Sequence, residues 1–233
     1  MQTAEQWKHN DPWSWREFSA LLLLEFGFVI FVIKHSVQSL YETWLNVPLY
    51  AGTLTGLTIA IVLLTGLYVI ALRPHGLTWQ SVGVRGFPSS YWSRILIWLL
   101  VLIALSIAAV MITSLFGNSV DNSKTEALKQ QVNGFTVLIG IAAAGVISPV
   151  YEEIFYRGFV YRWLRTRTGA GWSMVISSLI FTAAHYPTFN AMPVNFISGV
   201  IFAWTYERTG SVIPAMIIHG VFNTIAVILT AFA

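Results

Sequence analysis

The sequence predicts an all-α fold, a polytopic transmembrane bundle of about seven or eight helices with a polar site among the helices of its C-terminal half. Three observations predict it. Of the 233 residues, 56% are hydrophobic and only 10% are charged, a balance foreign to soluble globular domains. The apolar residues gather into runs close to the ~20 that a helix needs to cross a bilayer core. The ionisable side chains caught inside those runs concentrate beyond residue 134.

In chain order the runs are Phe18–Ile33, Leu49–Leu72, Ile95–Phe116, Gly134–Leu164, Trp172–His185, Val194–Trp204 and Ile213–Ala233. The first has Glu25 in its core and no small-x-small cleavage pattern after Val32, so it reads as an uncleaved anchor and not a signal peptide. The fourth is long enough to project beyond the bilayer. The fifth and sixth are short, and are expected inside the bundle, shielded from lipid. Between the third and fourth lies the polar stretch GNSVDNSKTEALKQQVNG, Gly117 to Gly134, a loop or surface helix. It divides the chain into residues 1–133, membrane helices and polar loop, and residues 134–233, the expected catalytic core.

Basic residues set the expected orientation, because positive loops stay in the cytoplasm. Lys8, Arg16, Arg73, Arg85, Arg94, Arg162, Arg165, Arg167 and Arg208 fall on one side, and Lys34, Lys124 and Lys129 on the other. The N-terminus is therefore expected in the cytoplasm of a cell membrane, in a chain whose compact loops look bacterial. The absence of cysteine removes disulfides, thiolate metal sites and cysteine nucleophiles. A net charge of +3, spread over short loops, gives no nucleic-acid surface.

An ionisable side chain at bilayer depth costs about 2.5–3.5 kcal/mol on insertion scales, so it tends to face the bundle interior and to mark function. Glu152, Glu153 and Arg157 lie on the fourth run, His185 ends the fifth, and His219 and Asn223 lie in the seventh. Residues four apart share a helix face. Glu153 is thus expected to pair with Arg157 as a structural ion pair. Glu152, rotated by about 100°, should point elsewhere and stay free for chemistry. His219 and Asn223 share a face, and Phe181 sits one turn below His185.

At 1.5 Å per residue, Glu152, His185 and His219 stand roughly 20, 27 and 16 Å from Arg165, Arg167 and Arg208, so they converge near mid-membrane. A glutamate beside a histidine can deprotonate water, while a second histidine and an amide can donate hydrogen bonds to a developing oxyanion. The set Glu152, His185 and His219 could instead hold a divalent metal such as zinc with one position open for water. The residues leave both open. Glu25, His35 and Glu42 belong to no such group, and are expected to snorkel to an interface or to pair within the first half. Signatures of several membrane protease types are absent: Ser198-Gly199 does not complete a GxSG, no HExxH occurs, and the only aspartates, Asp11 and Asp121, lie in polar segments.

EEIFYR (Glu152–Arg157), FTAAH (Phe181–His185) and HGVFN (His219–Asn223) resemble, in order and approximate separation, the EExxxR, FxxxH and HxxxN motifs of the CPBP family of intramembrane proteases. That family includes CAAX prenyl endopeptidases and the Abi proteins linked to bacteriocin processing and self-immunity. The stretch RTGSVIPAMIIHGVFN, residues 208–223, is also similar to its last motif. The resemblance implies an endopeptidase acting on a peptide or membrane-associated protein amid membrane lipid. It implies Glu152 as the general base on water, assisted by His185, with His219 and Asn223 donating to the oxyanion or positioning water. Glu153, Arg157 and Phe181 would support them. Members are described both as metalloproteases and as metal-independent enzymes; asparagine is a poor zinc ligand, which favours no cofactor here. The alternative from another class is a non-catalytic bacteriocin-immunity or scaffold protein. A transporter would need the paired short or broken segments of internal repeats, which the sequence lacks.

Overall fold

The structure, a computed structural model, describes residues 11–115, 123–130, 132–186 and 188–232. It holds seven helices and, among the described residues, no strand. They are α1 (Trp15–Leu45), α2 (Pro48–His75), α3 (Ser89–Ser114), α4 (Ser123–Lys129), α5 (Gly134–Ala183), α6 (Met192–Thr209) and α7 (Ile213–Phe232). The chain is an all-α, multi-pass membrane bundle. Of the polar stretch after α3, residues 117–122 and 131 lie outside the described residues, and α4 occupies the middle of the rest.

Local chemistry sets the boundaries. Ser14 and Glu17 form a capping box that opens α1, the Ser14 amide donating to Glu17 Oε2 at 2.7 Å. Asn46, in the left-handed region at φ 52°, ends α1, and Pro48 starts α2 at its first turn, where a missing amide proton costs nothing. Asn133 accepts from the amides of Phe135 and Thr136 at 2.9 and 3.0 Å to cap α5. Gly169, at φ 80° and ψ 172°, bends α5 into arms of residues 134–168 and 170–183.

Five helices, α1, α2, α3, α5 and α7, are long and apolar enough to cross a membrane, against the seven runs expected. The difference has two causes. The fourth and fifth runs are the two helical arms that meet at the non-helical Gly169, counted together as α5. The sixth lies in α6, which carries Asn195, Ser198, Thr205 and Glu207 and is packed inside, chiefly along the 170–183 arm and against α3 and α7. As expected of a short run, it is shielded.

Two cores hold the bundle. The larger joins α1, α2 and α5: Phe18 stacks on Trp163 with ring centroids 3.8 Å apart, and Trp13 meets Phe159 edge-on at 5.0 Å. It thus crosses the boundary at residue 133. The smaller, around Ile95, Leu102, Phe202 and Ile218, joins α3, α6 and α7. Apolar side chains such as Leu96, Ile97, Leu100 and Met111 of α3 remain exposed, as lipid contact requires. At one end Arg165 grips Glu207 through Nε and Nη2, and Tyr161 donates to the same carboxylate at 2.7 Å. Beside it Arg167 reaches Asp11, Arg162 donates to the Ser81 carbonyl, and Arg85 donates to the Gly210 carbonyl at 2.7 Å.

Candidate active site

From Glu153 to Tyr161, α5 is wound more widely than an α-helix, with i→i+5 pairing, and every side chain over that stretch is buried. Such widening recurs at functional sites because it re-aims side chains that a regular helix would fan out. It bears on the glutamate pair. Glu153 Oε1 accepts from Arg157 Nη1 at 3.1 Å, the expected ion pair, but also meets His219 Nδ1 at 2.9 Å. Glu152 is not turned away: its Oε2 lies 3.8 Å from His219 Nε2. The expectation that adjacent glutamates point to separate places is corrected here, because α7 inserts one imidazole against both.

A carboxylate can only accept, so the His219–Glu153 bond assigns the proton on that side to Nδ1 and turns Nε2 toward Glu152. On its other side, Glu152 Oε1 accepts from the Ser148 hydroxyl one turn earlier on α5. The result is a row of groups, half-buried at Ser148 and buried beyond it, with a 3.8 Å gap between Glu152 and His219: Ser148, Glu152, His219, Glu153, Arg157. Two carboxylates and a guanidinium out of water are tolerable only because each finds a partner. Arg157 adds a 3.4 Å bond from Nη2 to the Gly199 carbonyl, and its guanidinium lies over the Phe181 and Phe202 rings, 4.3 and 5.0 Å from their centroids.

Phe181 is the hub of the aromatic wall. Its ring lies 4.7 Å from the His185 ring and 6.2 Å from that of His219, edge-on in both cases, so the two histidines flank one side chain. Phe202 stacks on His219 at 4.7 Å and fixes the plane of the imidazole. His185 is half-buried at the end of the 170–183 arm, and its Nδ1 lies 2.8 Å from the Phe181 carbonyl oxygen.

Asn223 sits one turn beyond His219, as its spacing requires, with Nδ2 donating to the Ala144 carbonyl of α5 at 2.9 Å. That bond ties α5 to α7 where they cross most closely. A Cβ on Gly220 would run into the Gly145 carbonyl oxygen, so only glycine there lets His219 reach the glutamates. The structure therefore brings Glu152, Glu153, Arg157, Phe181 and His219 together, links His185 to them through Phe181, and holds Asn223 at the adjoining crossing.

Sequence reasoning missed Ser148, Phe202, Tyr156 and Glu25. Ser148 was legible, four residues before Glu152; the others were not. Glu25 is the second correction: it does not snorkel or pair within the first half. It is buried, and its Oε1 accepts from the Tyr156 hydroxyl at 2.8 Å, across 131 positions of sequence. Glu42 does pair locally, with Gln38 at 2.8 Å.

The side chains as arranged do not fit a metal. Among the described residues no three histidine or carboxylate groups converge as a ligand set. Nothing below is routed through one.

Residues 134–225 match the family described as Rce1-like, type II CAAX prenyl endopeptidase. A candidate membrane peptidase of Bacillus subtilis (strain 168), YdiL, is 25% identical over 114 residues, covering 49% of this chain and 46% of its own. The UPF0177 protein YbdI of Lactococcus lactis subsp. lactis (strain IL1403) is 31% identical over 87 residues, covering 36% of this chain and 44% of its own. The chain thus spans less than half the length of either relative. No solved structure matches it. Three motifs in order, on membrane helices, lie within the matched residues, so this segment of the chain is similar to the Rce1-like family.

Proposed function

We propose that the protein is an intramembrane endopeptidase that hydrolyses a peptide bond in a peptide or membrane-associated protein, with Glu152 as the general base. The observation that carries this reading is the row Ser148–Glu152–His219–Glu153–Arg157, set inside the segment that matches a protease family. The gap of 3.8 Å between Glu152 Oε2 and His219 Nε2 is too long for a direct hydrogen bond. It suits one water donating a hydrogen to each.

In the reaction that follows, the water oxygen attacks the scissile carbonyl carbon while Glu152 takes one of its protons. The carbonyl π electrons move to oxygen, where the remaining amide hydrogen of Asn223 can meet the negative charge. Collapse of the tetrahedral centre breaks the C–N bond, and the proton held by Glu152 passes to the leaving nitrogen. His185, through Nε2, assists that transfer. The products are a carboxylic acid and an amine, which ionise to carboxylate and ammonium, and the base is restored. His219 then acts by positioning water more than by donating to the oxyanion, since its Nδ1 is committed to Glu153.

We also assign the end of the bundle where Arg85, Arg162, Arg165 and Arg167 gather to the cytoplasmic face of a bacterial cell membrane, following the positive-inside rule. The test is cleavage of a peptide library by the purified protein in lipid, compared with Glu152→Gln, each with and without chelator. The variant is expected to lose roughly 10²–10⁴-fold in rate, the usual share of a general base. Equal turnover by both proteins overturns the assignment; loss in chelator by the wild type calls for a metal bound with rearrangement; and an undiminished biological phenotype in the variant supports the immunity or scaffold role.

A further inference from the structure

The segment that matches the protease family begins at residue 134, yet two polar side chains of α1 reach into the walls of the site. Glu25, Val29 and Ile33 form the buried stripe of α1 on a widened stretch from Leu24 to Val37. Glu25 is 3% exposed, and its Oε1 holds the Tyr156 hydroxyl at 2.8 Å. Tyr156 lies within the EEIFYR motif, and its ring stands edge-on to Phe181 with centroids 5.1 Å apart. Phe181 in turn carries the rings of His185 and His219 and lies beneath Arg157. From the next exposed turn of α1, Lys34 Nζ donates to the Ala184 carbonyl at 2.7 Å, one residue before His185. A cation at the last carbonyls of a helix also complements its dipole.

We infer that α1 completes the site: Glu25 and Lys34 are positioning residues that fix the end of α5 bearing His185 against its own 134–168 arm. This rests on the role given above to Glu152 and His185. Glu25 holds the inner side through Tyr156 and Phe181, and Lys34 holds the outer side through Ala184. The oxygen that Glu25 offers Tyr156 is what the role requires, because a phenol hydroxyl needs only an acceptor.

The test compares Glu25→Leu, Glu25→Gln, Lys34→Met, Lys34→Arg and Tyr156→Phe with the wild type. Cleavage kinetics are read together with amide exchange across residues 181–186 in the full-length protein in lipid. Glu25→Leu, Tyr156→Phe and Lys34→Met are expected to lower kcat roughly ten- to a hundredfold, as a misplaced catalytic group does, with KM within about twofold. The same variants should speed exchange across 181–186. Glu25→Gln and Lys34→Arg, which keep the acceptor and the donor, should recover most of the rate, and Glu25→Leu with Tyr156→Phe should be no worse than either alone. Unchanged kcat and unchanged exchange in Glu25→Leu and Lys34→Met overturn the inference, as does a loss of rate that follows only the loss of folded protein. If Glu152→Gln cleaves as well as the wild type, it is the base that fails, and the exchange measurement alone then decides for or against positioning.

Discussion

His219 on α7 and Glu153 on α5 are joined by a 2.9 Å contact between Nδ1 and Oε1, so the glutamate that balances Arg157 also holds the imidazole that faces Glu152. Glu153 is therefore both an ion-pair partner and a part of the site. Replacing it by Gln leaves Arg157 buried opposite a neutral amide, a change of the kind that costs about 3–5 kcal/mol when one partner of a buried pair is removed. Thermal unfolding followed by tryptophan fluorescence should fall by that amount, and turnover of the remaining folded protein should fall with it. Arg157→Lys should not preserve stability, because a compact ammonium cannot cover the Phe181 and Phe202 rings as the planar guanidinium does. Wild-type melting in Glu153→Gln would separate the pair from the fold.

Ser148 orients Glu152 from the side opposite His219. Ser148→Ala should lower kcat about tenfold while KM holds, because the carboxylate keeps its place but loses one fixed direction. Stability should change by only about 1 kcal/mol, the net worth of one hydrogen bond. Steady-state kinetics beside a melting curve check both parts.

The α5–α7 crossing sets the depth to which His219 enters. Gly220→Ala places a methyl against the Gly145 carbonyl and must push the helices apart. The expected cost is about 1–3 kcal/mol, with activity lost beyond it because His219 and Asn223 retreat together from Glu152. Alanine at Gly171, where an added Cβ meets nothing, is the matching control and should be nearly silent.

The Glu207 cluster gives the opposite pattern. Glu207 accepts from Arg165 and Tyr161 near the end of the bundle that carries the arginines, and it reaches none of the site residues. Glu207→Gln should lower the unfolding temperature while leaving kcat of the folded fraction unchanged. A drop in kcat at constant stability would mean that this end communicates with the site.

Much of the site was legible because its spacing is local. Glu153 with Arg157, His219 with Asn223 and Phe181 with His185 are all four apart, and helical geometry places each pair without knowledge of the fold. The family resemblance added the order of the three motifs. What could not be read depends on crossings. The widened winding after Glu153 lets one imidazole meet both carboxylates, and no periodicity announces it. Glu25 meets Tyr156 across 131 residues, so its partner exists only once α1 lies against α5. Hydropathy locates the apolar runs, but not that Gly169 turns the chain between two of them or that a third, carrying Glu207 and Asn195, is packed inside.

The central claim is that water held between Glu152 and His219 cuts a peptide bond, and the fate of that water tests it most directly. Cleavage of a susceptible peptide in ¹⁸O-enriched water, under single-turnover conditions and read by mass spectrometry, should place one ¹⁸O in the new C-terminal carboxylate with the wild type. Glu152→Gln should form essentially no labelled product over the same time. Unlabelled product from the wild type, or labelled product formed as fast by the variant, would contradict the account.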